Sequence, residues 1–204
     1  IPFKGIVVAR LKGINKELAF LCETISVTSN DLSELYLPKA GGNLIGIKNY
    51  IAWHIRAGNG RKETENESYE KIKEYYDIIS SNSNFPILIF SSKDGTKELK
   101  KILNMYENVF FAKDYNDDFS SDVELILGSS LYLQFGYGGM FAAVVCSEIP
   151  YLILASRVKD SWEFLKPHIK DKKMVPWAKP NQLLVNTEDE FMEKSINILK
   201  IGLR

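Results

Sequence analysis

The densest chemistry in this sequence lies in seven consecutive residues, His54-Ile55-Arg56-Ala57-Gly58-Asn59-Gly60. Arg56 is a permanent cation with a planar fork of donors, a shape suited to a phosphate. His54 stands two residues before it, and along a strand that spacing turns both side chains to the same face. Gly58 and Gly60 allow close backbone approach and positive φ. Asn59 can donate and accept hydrogen bonds. The set therefore suits an anionic ligand. It could equally be a turn in which Arg56 makes a structural salt bridge and His54 is a satisfied core residue.

Two further segments have related chemistry. Ser91-Ser92-Lys93-Asp94-Gly95-Thr96 reads as a loop with helix-capping residues. Ser92 and a helix start there would favour an anion, and Asp94 could bind a base or a ribose hydroxyl. A plain helix cap is the structural alternative. Gly136-Tyr137-Gly138-Gly139 precedes an apolar run. Glycines at a helix start can cradle a pyrophosphate, and Tyr137 could stack on a base or sugar. Tight strand–helix packing explains the same glycines. The segment does not match G-x-G-x-x-G, which disfavours a dinucleotide oxidoreductase. The sequence also lacks H-E-x-x-H, C-x-x-C, G-x-S-x-G and a P-loop, and its two histidines are His54 and His168. A structural zinc site is not indicated. Asp117-Asp118 is read as a solvated acidic pair.

These segments need elements to position them. Residues 49–56 read as a strand covered on both faces. A helix over about 66–80 carries Tyr69, Ile72, Tyr76 and Ile79 on one stripe, with Thr64 and Glu67 at capping-box spacing or a start a few residues later. Strand 85–90 follows, then a helix bearing Leu99, Ile102, Leu103 and Tyr106, then strand 108–112. Ser121 and Glu124 again have capping-box spacing, ahead of strand 130–135 and a buried helix over 140–145. Strand 151–154 comes next. Thr187 and Glu190 cap a final helix to about residue 200, its inner face formed by Phe191, Met192, Ser195, Ile196, Ile198 and Leu199. Strand and helix alternating with short links predict a parallel α/β sheet. Its ligands would bind beyond the carboxyl ends of the strands, where all three segments fall. Residues 6–9 and 16–25 suggest a strand and a helix outside this rhythm, and 160–180 reads as irregular or short helix.

Composition narrows the partners. The chain has 204 residues and a mass of 23.2 kDa, with 26 basic and 26 acidic side chains, so a basic nucleic-acid binder is not indicated. Cys22 and Cys146 are too few for a disulfide framework and are read as buried thiols. No apolar run reaches the roughly 18–20 residues of a membrane helix, and no signal-peptide pattern opens the chain. The expected location is cytoplasmic, with peripheral membrane association allowed. The chain opens at Ile1. Residues 1–48 are expected to be a remnant of, or linker from, an N-terminal domain, and 49–204 the ligand-binding α/β domain.

The segment His54 to Gly60 resembles the H-x-R-x-G-[DN] motif of fucosyltransferases. Its Gly-Asn-Gly form is most similar to the bacterial nodulation α-1,6-fucosyltransferases, in a group that includes the eukaryotic α-1,6- and protein O-fucosyltransferases. The resemblance covers about residues 49–155, including Ser91 to Asp94, a helix begun by Asp122, and the glycine loop. It implies a Rossmann-like sheet like the C-terminal half of a GT-B glycosyltransferase. It also implies a nucleotide-sugar donor such as GDP-fucose, a glycan or other hydroxyl acceptor, inverting transfer, and neither metal nor cofactor. Arg56 would hold the diphosphate and stabilise the leaving GDP. His54, Gly58 and Asn59 would line the pocket, Ser92 and Asp94 would lie near the nucleotide, and Gly136, Tyr137, Gly138 and Gly139 near the phosphates. The family usually has a Ser-containing, Arg-ended segment at the last position, whereas no Arg occurs here between Arg61 and Arg157. Transfer from another nucleotide sugar and a non-catalytic binding module are the alternative readings.

Overall fold

The computed structural model describes residues 46–57, 67–135, 144, 147–154 and 180–201. The early strand and helix over 6–9 and 16–25, the glycine loop at 136–139 and most of the expected helix over 140–145 lie outside them. So do Cys22, Cys146 and residues 160–179.

The described chain runs β1 (Ile51–His54), α1 (Tyr69–Asn82), β2 (Ile87–Phe90), α2 (Lys93–Leu103), β3 (Val109–Phe111), α3 (Phe119–Leu127), β4 (Leu131–Gln134), β5 (Tyr151–Leu154), β6 (Gln182–Val185) and α4 (Glu188–Ile201). The six strands form one sheet in the order β3-β2-β1-β4-β5-β6, every neighbouring pair parallel. The expected Rossmann-like α/β architecture is what the structure contains.

Burial on both faces makes the strands apolar. Ile51, Trp53 and Ile55 point into one core, with residues of α1, α2 and α4. Tyr50 and Ala52 point into the other, with Leu125 and Ile126 of α3 and Val144. In the first core Tyr75 meets Phe135 and Phe191, with ring centroids 3.9 and 5.5 Å away. That aromatic cluster ties α1 to the end of β4 and to α4.

Several expected boundaries move, each for a local reason. Residues 49–50 are not strand: Asn49 has φ +53°, in the left-handed region, and breaks the extended run. His54 is the last residue of β1 in register with both neighbours. The start of α1 is set by Ser68, whose Oγ accepts from Lys71 N at 3.2 Å, and not by the Thr64–Glu67 spacing. Its buried stripe includes Tyr75, while Tyr69 is 47% exposed. The expected loop at 93–96 is the first turn of α2, which ends at Leu103. Tyr106 lies beyond it and stacks on Tyr76. Helix α3 begins before the Ser121–Glu124 box and before Asp122, because Asp118 caps it through Ser121 N at 2.8 Å. Asp117 and Asp118 are both exposed, in keeping with a solvated pair, and each also has a partner, since Asp117 pairs with Lys93. The Thr187–Glu190 box does operate: Thr187 Oγ1 accepts from Glu190 N and Glu190 Oε2 from Asn186 N. Strand β6 was not expected. Its four residues, flanked by Asn181 and Asn186, are too short to show a period.

Candidate functional site

The strand order reverses between β1 and β4: β2 and β3 lie to one side of β1, and β4, β5 and β6 extend to the other. In doubly wound sheets a crevice opens at this reversal, beyond the carboxyl ends of the strands. His54 and Gln134, the last residues of β1 and β4, are register partners at this reversal. His54 is also level with Phe90, the last residue of β2.

His54 follows Tyr50 and Ala52 in alternation, which assigns it and Arg56 to the second face. The histidine is 8% exposed, and its Nδ1 makes no hydrogen bond. That nitrogen lacks the internal partner that a fully satisfied core histidine would have. Burial lowers its pKa to about 4, and the charge of Arg56 pushes in the same direction. Near pH 7 the site thus holds a neutral imidazole beside a fixed cation.

Backbone contacts hold the chain around Arg56. Ile55 N donates to Phe90 O at 3.0 Å, extending the β1–β2 ladder, and Glu67 N donates to Arg56 O. The second bond joins residues 56 and 67, and Gly58 and Asn59 between them lie outside the described residues. Arg56 itself is half-buried.

On the adjacent strand, Ser92 is the N-cap of α2, its Oγ accepting from Gly95 N at 3.0 Å. The hydroxyl proton is left to donate. Asp94, in the first turn, has a side chain 72% exposed that pairs loosely with Lys97. The structure thus gathers His54, Arg56 and the α2 N-terminus at adjoining strand ends. Asp94 lies in that turn but out in solvent. Gly136, Tyr137, Gly138 and Gly139 follow the end of β4 in sequence, outside the described residues.

Two residues missed by the sequence reading stand at the same reversal. Tyr132 donates its hydroxyl to Gln134 Oε1 at 2.5 Å, and both are buried. Burial raises the Tyr132 pKa well above the ordinary phenol value. The available signal was two hydrogen-bonding side chains, two residues apart, inside an apolar strand. Beyond β3, Lys113 binds Asp122 Oδ2 at 2.6 Å, while Asp122 Oδ1 has no partner. Burial raises the Asp122 pKa, against the pull of Lys113.

A neutral imidazole, a guanidinium and a helix N-terminus at adjoining strand ends can bind an anion through directed donors and a fixed charge. No family model and no curated protein matches the sequence. The fold is similar to a solved structure, the crystal structure of Methanocaldococcus jannaschii UDP-GlcNAc 2-epimerase in complex with UDP-GlcNAc and UDP. The likeness has a TM-score of 0.55 at 14% identity and covers 91% of this chain and 52% of that one. This chain therefore spans about half the length of that structure, and the likeness is one of fold. Among the described residues, no helix is long and apolar enough to cross a membrane.

Proposed function

We propose that this chain is the nucleotide-sugar-binding half of a fucosyltransferase-like, GT-B-type glycosyltransferase, with GDP-fucose as donor. The observation that carries the reading is the position of His54 and Arg56 of the H-x-R-x-G-N-G motif, at the end of β1 where the strand order reverses. The fold likeness to an enzyme solved with a UDP-sugar supports the ligand class.

In this reading Arg56 and the N-terminus of α2 hold the diphosphate. An acceptor hydroxyl oxygen attacks the anomeric carbon from the face opposite the leaving group. The carbon–oxygen bond to the diphosphate breaks, and its electron pair passes to the departing GDP, whose charge Arg56 stabilises. The acceptor proton passes to a base on the acceptor side. The neutral His54 adds hydrogen bonding without a second full charge, and Asn59 and Gly58 complete the pocket wall. Ser92 and Asp94 border the nucleotide, and the loop from Gly136 through Tyr137 and Gly138 to Gly139 borders the phosphates.

Calorimetric titration of the folded chain with GDP, GDP-fucose, UDP and UDP-GlcNAc tests this. The expected result is binding of the guanine ligands, weakened at least tenfold by Arg56→Ala. No binding, or equal binding by the variant, overturns it. A preference for the uridine ligands would favour another nucleotide sugar, a reading supported by the neighbour's ligands. A non-catalytic module is favoured by the absence of Arg between Arg61 and Arg157; donor hydrolysis or transfer by the chain with its partner half would exclude it.

A further inference from the structure

Gly95 occupies the first turn of α2 at the point where that turn meets the chain leaving β1. A Cβ built there would overlap Ser91 Oγ, lie 2.6 Å from the carbonyl oxygen of Ala57, and lie 3.1 Å from Ser92 Oγ. The two hydroxyls belong to short side chains that can rotate. The Ala57 oxygen is main chain and moves only with its peptide. Gly95 is helical, so its role here is close approach rather than positive φ.

The segment 55–57 is otherwise held by the Ile55 N–Phe90 O and Glu67 N–Arg56 O bonds. Ala57 itself is buried in the first core. Its peptide is therefore clamped between that core and the α2 turn, one residue after Arg56. We propose that Gly95 is a positioning residue for Arg56: its missing side chain lets α2 stand against the Ala57 carbonyl and fixes where the guanidinium is carried. The functional consequence rests on the reading of Arg56 as a phosphate ligand. The clamp itself rests on the geometry alone.

The test compares Gly95→Ala, Ser91→Ala and the double variant Ser91→Ala/Gly95→Ala in the full chain. The readouts are thermal unfolding, the backbone amide NMR signals of Ala57 and Glu67, and the affinity for GDP. Gly95→Ala is expected to displace both signals and weaken GDP binding at least tenfold. The double variant should regain thermal stability, because one overlap is gone, yet keep the displaced signals and weak binding. A Gly95→Ala protein with wild-type signals and affinity overturns the proposal. So does full recovery of signals and binding in the double variant, which would put the conflict on the Ser91 hydroxyl. If Gly95→Ala alone does not fold, the double variant set against Ser91→Ala decides by the same signals. If the wild-type chain binds no nucleotide, the ligand reading fails by itself, and the NMR signals still decide whether the clamp exists.

Discussion

Replacing Lys113 by Met would leave the carboxylate of Asp122 without its cation. The two side chains are 13% and 12% exposed, with N and O 2.6 Å apart. At an effective dielectric constant of about 20, two unit charges at that separation attract by about 6 kcal/mol. Desolvation of the ammonium offsets much of this, and removing one partner of a buried pair typically costs about 3–5 kcal/mol. The residual exposure puts the expected loss at the lower end, about 3 kcal/mol at pH 8. For a chain of this length that is a fall in Tm of about 6–12 °C. Asp122 already has a raised pKa, its burial outweighing Lys113, and the variant raises it further. A carboxyl raised in the fold binds protons more readily there than in the unfolded chain. Stability therefore falls as pH rises from the unfolded pKa, near about 4, through the folded one. The deficit of Lys113→Met should be full at pH 8 and shrink toward pH 4. Urea unfolding at both pH values measures it, and Lys113→Met/Asp122→Asn should recover much of the loss. A deficit below about 1 kcal/mol at pH 8, or one equal at both pH values, would refute the argument.

His54 should give the opposite slope. Its pKa is lowered to about 4 in the fold, so its contribution is whole above the unfolded value near about 6.5 and lost as pH falls toward 4, by at most about 3 kcal/mol. His54→Gln should flatten Tm against pH in that window; an unchanged slope would assign it to other groups. Ser92→Ala removes the cap of α2 and should cost about 1 kcal/mol in chemical denaturation. Gln182→Met removes two hydrogen bonds, from Nε2 to Ser147 O at 2.8 Å and to Ile149 O at 2.9 Å. Exposing those carbonyls to an apolar neighbour should cost about 2–3 kcal/mol in the same assay.

The sheet was legible because its strands are apolar in both directions, and the helices between them show one stripe each. The position of the His54–Arg56 segment at a strand end was legible for the same reason. Helix starts were less so. The Thr64–Glu67 and Ser121–Glu124 boxes have the right spacing, but Ser68 and Asp118 do the capping. Spacing identifies residues able to cap; the turn preceding the helix decides which one does. Neither the reversal of strand order nor the pairing of His54 with Gln134 could be read, because register across non-consecutive strands is set by packing. The clamp at Gly95 was hidden as well. A glycine in a Ser-Ser-Lys-Asp-Gly-Thr run reads as loop chemistry, whereas it serves an approach between segments nearly forty residues apart.

The polar residues of the strands separate structural work from the candidate site. Apart from tyrosine and tryptophan, strands β1 to β6 contain three hydrogen-bonding side chains: His54, Gln134 and Gln182. Burying such a group is unfavourable unless it is paired. Gln182 is explained by the two carbonyls it satisfies near the start of β5. Gln134 takes the hydroxyl of Tyr132. That leaves His54, whose Nδ1 has no such partner, and whose position opposite Gln134 is where the sheet's order reverses. A sheet stabilised only by burial would gain from a Val or Ile there. Of these three, the imidazole is the one whose burial internal hydrogen bonding does not explain, and it lies beside Arg56, a fixed cation.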